Sequence, residues 1–243
     1  RVDDPGTYLH HMQELGITDI TRRGGFLPLT EETESHFDPD LVRESLDRLE
    51  GWRPLFGTAG PGQGALDHAG VEKGDIFLFF GWFRPTHLSG GKLEWSGEHI
   101  HAVFGYLQIG EIRGVTSSLE REIPWAGYHP NVRGRERPGS NTLYLPTERL
   151  SLDESLPGSG AFRYGPEVRL TAPGRSRSVW RLPMCFHPSR TPAPLTFHRA
   201  DWRWIPNGEH VILRTVGRGQ EFVVEATEEI EKWLLDLIRA SRI

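Results

Sequence analysis

Residues 52–84 read WRPLFGTAGPGQGALDHAGVEKGDIFLFFGWFR, and residues 99–112, after a polar loop, read HIHAVFGYLQIGEI. In this stretch a Trp precedes a glycine-rich loop and a short helix, and a Val-x-x-Gly-Asp turn leads into an apolar strand ending in Trp-Phe-Arg. The nearly continuous apolar run from Ile76 to Phe83 predicts a central strand covered on both faces. Residues 102–112 are its natural partner, with Phe104 and Tyr106 expected on one face and Val103, Leu107 and Ile109 on the other. That order predicts a small β-barrel with an aromatic at its mouth, beside backbone amides that can take an anion.

Working outward, residues 7–15 predict a short helix with Tyr8, Leu9, Met12 and Leu15 apolar, closed by Gly16. Residues 21–35 are polar and broken by Gly and Pro, which predicts a mobile loop. A second helix is expected after Asp38 as N-cap and Pro39 as first helical residue, burying Leu41, Val42, Leu46 and Leu49 before Gly51. Further strands are expected over residues 142–145, 178–182, 211–216 and 221–225. The C-terminus predicts an amphipathic helix capped by Thr227, with Ile230, Trp233, Leu234, Leu237 and Ile238 at helical spacing. The fold class is α+β: a mixed β-barrel or strongly bent sheet with peripheral helices and long Pro/Gly/Arg-rich loops.

A length of 243 residues suits one domain over residues 1–243. No segment approaches the roughly 20 apolar residues of a membrane span, and no signal-peptide pattern opens the chain. Cys185 is the only cysteine, which excludes a disulfide or thiolate cluster and fits a cytoplasmic protein. The chain opens at Arg1 without an initiator Met, so a missing upstream segment is expected. A net charge of −5 argues against coating nucleic acid through bulk charge. Yet Lys73, Lys92 and Lys232 are the only lysines among 28 basic residues, leaving 28 − 3 = 25 arginines. A GC-rich genome explains that bias. Guanidinium groups clustered at Arg133, Arg135 and Arg137 also suit phosphate contacts.

Several residue groups carry possible chemistry. Gly62 and Gly64, with Gln63 between them, permit close backbone approach and offer amides to an anion, although a plain flexible turn explains the glycines equally. No P-loop or Rossmann fingerprint follows, and no cofactor is expected. Trp82, Phe83 and Arg84 end the buried strand as an aromatic pair beside a guanidinium, which suits stacking an unpaired base; the alternative is that Trp82 caps the core. Trp180 and Arg181 repeat that pairing. His99 and His101 share a strand face, but a zinc site needs a third ligand at recognisable spacing, so no metal is expected and His101 reads as a neutral hydrogen-bonding residue. His36, Asp38 and Asp40 resemble an acid/base cluster, yet helix capping and the macrodipole account for the two carboxylates more simply. Tyr128-His129-Pro130-Asn131 opens the arginine-rich loop that runs to Asn141, where an exposed His129 beside arginines suits a polyanion backbone or is only solvated.

With those residues in view, the chain resembles the bacterial and phage nucleotide modification associated domain family, type three. The resemblance rests on HFDPDL (36–41), GWRPLFG (51–57), GDIFLFFGWFR (74–84) and HAVFGYLQIGEI (101–112), and continues in NTLY (141–144), LTAPG (170–174), WRLP (180–183) and RGQEF (218–222). Members usually begin with a further segment containing Lys-Gly-Phe-Asp, which this chain lacks. More loosely, residues 52–112 are similar in pattern to the EVE and ASCH branches of the PUA-like superfamily, whose domains read modified bases. The resemblance implies a PUA-like barrel that recognises modified nucleotides in DNA, associated with DNA modification or anti-phage defence. Trp82 and Phe83 are then expected to stack the base, with Gln63 and His101 on its edge and the glycine loop and arginines on the backbone. The alternatives are an enzyme on modified bases, a glycosylase or hydrolase using Asp38 or Asp40 with a histidine, and an interaction module of a defence assembly.

Overall fold

The computed structural model describes residues 7–22, 25–33, 36–133, 141–216 and 221–243. In chain order the elements are α1 (Tyr8–Glu14), β1 (Asp19–Arg22), β2 (Gly25–Pro28), β3 (Phe56–Ala59), α2 (Pro61–His68), β4 (Ile76–Phe83), β5 (Thr86–Ser89), β6 (Lys92–Trp95) and β7 (Ile100–Gly114). They continue with α3 (Leu119–Glu122), β8 (Asn141–Pro146), β9 (Arg149–Leu150), β10 (Asp153–Pro157), β11 (Ser159–Ala161), β12 (Val179–Pro183), β13 (Trp204–Asn207), β14 (His210–Arg214) and α4 (Glu228–Ser241). The protein is mixed α/β and mostly strands, with a curled half-barrel sheet and few helices. No helix among the described residues is long and apolar enough to cross a membrane.

Two compact units are present. The smaller, Arg1–Ser35 with Phe83–His99, holds α1 and two antiparallel hairpins, β1–β2 and β5–β6. Thr7 caps α1 by accepting the His10 N–H at 3.2 Å. The β1–β2 hairpin stands where a mobile loop is expected. Both faces of β2 are exposed, so no buried side imposes the alternation from which a strand is read. Gly90 and Gly91, both at positive φ, turn β5 into β6.

The larger unit, His36–Trp82 with Ile100–Ile243, is built around β7. Its main sheet runs β11-β7-β8-β3, with β4 also paired to β7, and a second sheet runs β12-β14-β13. Strand β4 is covered on both sides, as its unbroken apolar run predicts. Phe77 and Phe79 pack with Leu66, Leu107, Ile109 and Tyr144, while Leu78 and Phe80 pack with Trp180, Leu213 and Ile238. Helix α4 forms as expected, with Thr227 Oγ1 accepting the Ile230 N–H at 3.4 Å and Ile230, Leu237 and Ile238 buried.

Three expectations are corrected. The helix after Asp38 does not form: Asp40 and Leu55 exchange two backbone hydrogen bonds of 2.9 Å, and only Arg43–Ser45 makes a 3-10 turn. Of the four residues expected to be buried, Val42, Leu46 and Leu49 are exposed, and Leu41 alone packs against the core beside Leu107 and Tyr144. Residues 221–225 do not form a strand. Their partner segment contains Pro192 and Pro194, which lack the N–H a ladder needs, so the pairing reduces to bonds such as Thr196 N–H to Val223 O at 2.9 Å. Finally, Val103 packs in one core cluster with Tyr106, and Phe104 in another with Leu107 and Ile109.

Two core histidines outside the site described below make the larger unit acid-sensitive. His198 is fully buried, with Nδ1 2.8 Å from Thr196 O and Nε2 accepting the Val216 N–H at 3.3 Å. His101 accepts the Trp180 indole N–H on Nδ1 at 3.0 Å. Burial lowers both pKa values below 6.5, with help from Arg203 for His198 and Arg177 for His101, against an opposing pull from the Thr196 carbonyl. The unfolded chain therefore binds protons more readily. The stability these rings supply is complete above about pH 6.5 and is lost as pH falls through their lowered folded values. The thermal midpoint should drop between pH 7 and pH 5, by roughly 2–4 °C for each kcal/mol lost. A midpoint that is flat or rising over that interval contradicts this account.

Candidate functional site

The paired backbones of Asp40 and Leu55 lay the segment entering the larger unit alongside β3. Asp38 Oδ1 thereby accepts the Gly57 N–H at 3.2 Å. From the other side comes the turn after the 3-10 segment Pro124–Ala126, whose His129 N–H bonds Ala126 O at 2.9 Å. That turn buries His129 completely, against the expectation of an exposed loop histidine. The ring fits because residue 57 is glycine. A Cβ there would lie 2.5 Å from His129 Cε1 and 2.9 Å from Asn131 Cγ.

His36, Asp38 and His129 each bring a ligand-type atom to within 4.8 Å of the other two. His129 Nε2 is 3.9 Å from Asp38 Oδ1, and the rings of His36 and His129 meet edge to face at 5.5 Å. Burial dominates the electrostatics. It pushes Asp38 up to about 6, with Asp40 adding repulsion and the Gly57 N–H opposing, and pushes His129 down to about 4, with His36 contributing. His36 is also lowered by burial, partly offset by Asp40.

Asp40, two residues on, has a different task. Its carboxylate is fully enclosed, bonded to Arg48 Nη2 at 2.6 Å and to the Tyr128 hydroxyl at 2.5 Å. Tyr128 in turn accepts the Trp52 indole N–H at 2.9 Å, and the Arg48 guanidinium lies 4.6 Å from the Trp52 ring and 5.2 Å from that of Tyr128. Burial and the bond to Asp40 push Tyr128 up to about 12. Asp40 is thus a strut beneath the site, and neither it nor Asp38 caps a helix. Asn131 and Asn141 complete the surroundings, bonded to each other through Nδ2 to Oδ1 at 2.8 Å and Nδ2 to backbone O at 3.1 Å.

The other candidate residues lie apart from this cluster or within the core. Gln63 is buried in α2, donating to Asp67 Oδ1 at 2.6 Å and to the Tyr144 hydroxyl at 2.8 Å. Gly62 and Gly64 belong to the same helix, which starts at Pro61 rather than after the glycines. A Cβ on Gly62 would lie 2.7 Å from Glu221 Oε1, so the chain's own carboxylate faces the start of α2. Trp82 is 58% exposed, with the Arg177 guanidinium 3.9 Å from its ring centre. Phe83 is exposed, and Arg84, in the smaller unit, donates to Gly97 O at 3.4 Å and lies over Trp95. His101 and Trp180 are buried against each other, while Arg181 points outward from β12. Arg133 is exposed; Arg135 and Arg137 lie outside the described residues. Gly57, Arg48, Tyr128 and Trp52 have structural roles that the sequence reading missed. The retrievable signal was the pair of short runs GWRPLFG and YHPN, which the fold brings together.

A family model described as nucleotide modification associated domain 3 matches residues 6–225. The chain belongs to that family. The match takes in His36, Asp38, Gly57 and His129, so the cluster is part of nucleotide modification associated domain 3 and is no appendage to it. The family name suggests a role in nucleotide modification. No curated protein and no solved structure matches the chain significantly.

Proposed function

We propose that this nucleotide modification associated domain acts on a nucleotide, with a modified base in DNA as its substrate class, at the surface formed by His36 and Asp38 over His129. One contrast carries the reading. Asp40 is locked to Arg48 and Tyr128 inside the protein, whereas the Asp38 side chain keeps 30% of its surface open and faces imidazoles instead of a guanidinium. A half-enclosed carboxylate between two histidines is a group that stability alone does not require. The reaction class that fits is hydrolytic removal or conversion of the base, with Asp38 as the group nearest the substrate.

The test uses the full chain with oligonucleotides carrying modified bases and with the same sequences unmodified. Wild type is expected to release base, or leave abasic sites, on modified DNA. Asp38→Asn is expected to bind that DNA normally and to turn it over roughly 10²–10⁴-fold more slowly. Undiminished turnover by Asp38→Asn removes that carboxylate from the reaction.

A second reading, recognition of modified nucleotides without chemistry, is favoured by the open Trp82 indole with Arg177 against it, an arrangement suited to stacking a base. It predicts selective binding of modified DNA with no product from wild type.

A further inference from the structure

We propose that His36, Asp38 and His129 form a binding site for one divalent first-row transition-metal ion. The inference stands apart from the reaction proposed above and holds whether or not the domain turns over DNA.

Three observations carry it. First, the donor set is two imidazoles and one carboxylate, with all three ligand atoms within 4.8 Å of one another. That combination suits zinc, iron(II) and their neighbours, and leaves positions open for water or substrate. Calcium and magnesium prefer oxygen ligands throughout. Second, His129 is fully buried, and its Nε2 has no hydrogen-bond partner among the described residues although it faces Asp38. A buried polar nitrogen left in this state asks for a partner. Third, the spacing of those two atoms leaves room for an ion to draw them together. At 3.9 Å it is too long for a hydrogen bond, and closing by about 0.5 Å gives the roughly 3.4 Å between two ligands of a tetrahedral ion bound at roughly 2.0–2.2 Å. His36 is exposed, so it is the ligand free to close in when the ion enters.

Gly57 fits the same account, because it leaves the space in which the His129 ring is seated. Metal entry has one internal cost. The Asn131 N–H lies 3.3 Å from His129 Nδ1, so the ring without metal carries its proton on Nε2. Ligation through Nε2 moves that proton to Nδ1 and gives up the long Asn131 contact.

The experiment needs no nucleic acid. Chelator-stripped full-length protein is titrated with Zn²⁺ by calorimetry and with Co²⁺ by visible absorption, with Mg²⁺ and Ca²⁺ as controls. The expected result is one ion per chain for Zn²⁺ and Co²⁺, d–d bands for Co²⁺, and no comparable binding of the controls. Asp38→Asn and His36→Ala change exposed positions and should match wild-type thermal stability in chelator. Each is expected to weaken Zn²⁺ binding at least 10-fold. Imidazole nitrogen chemical shifts should show the His129 proton move from Nε2 to Nδ1 on addition of Zn²⁺. The proposal is overturned if wild type binds no stoichiometric Zn²⁺, if Mg²⁺ binds as well, or if both variants bind Zn²⁺ as wild type does. A site that passes this test while wild type leaves modified DNA intact would retain the metal and sink the enzymatic reading alone.

Discussion

Asp40→Ala is expected to destabilise the protein by about 3–5 kcal/mol, the range for removing one partner of a buried ion pair. Asp40 and Arg48 are both almost wholly enclosed, with side chains 1% and 3% exposed. Deleting the carboxylate leaves the guanidinium buried without its counter-charge and deprives the Tyr128 hydroxyl of its acceptor. The damage spreads because Tyr128 holds Trp52 and Arg48 lies against both rings. Urea denaturation monitored by tryptophan fluorescence measures the loss. Asp38→Asn should leave the urea midpoint close to wild type, since Asp38 is partly open and the amide oxygen of Asn can still accept the Gly57 N–H. A loss below 1 kcal/mol for Asp40→Ala, or equal losses for the two variants, would show that the two carboxylates do not divide their labour in this way.

Gly57→Ala is expected to cost about 1–3 kcal/mol, as overpacking a filled site does. Its effect on the site should be larger than its effect on stability. The new methyl carbon meets His129 Cε1 at 2.5 Å and Asn131 Cγ at 2.9 Å, a separation no pair of carbons tolerates, so the imidazole must leave its seat. The reason is space: Gly57 is not among the glycines at positive φ. A shift of His129 by an ångström breaks its alignment with Asp38, so loss of Zn²⁺ binding and of turnover should both exceed 10-fold. Retention of both in a folded Gly57→Ala protein would mean that the position of His129 is unimportant.

Much of the fold was legible because burial writes a pattern. The apolar run of β4, the helical spacing of α4 and its Thr227 cap each correspond to the element found. Strand β2 has no buried face to impose alternation, and its segment reads as a loop. Asp38-Pro39 followed by spaced leucines carries every signal of a helix start, yet the backbone of Asp40 pairs with Leu55 instead. A distant strand outbid local propensity there.

The site was legible only in pieces. His36, Asp38 and Asp40 were visible as a cluster, but nothing in their order separates the strut from the open carboxylate; that distinction comes from Arg48 and Tyr128. His129 was visible as well, though the arginines after it suggested exposure. Its burial depends on the hollow left by Gly57, far away in sequence. Metal-ligand spacing rules compare neighbours along the chain, so a trio joined by tertiary contacts escapes them.

The reciprocal bonds between Asn131 and Asn141 have a wider consequence. They tie the end of the His129 turn to the first residue of β8, like a knot drawn across a seam. The imidazole behind that knot is thereby moored to the sheet and not only to its own turn.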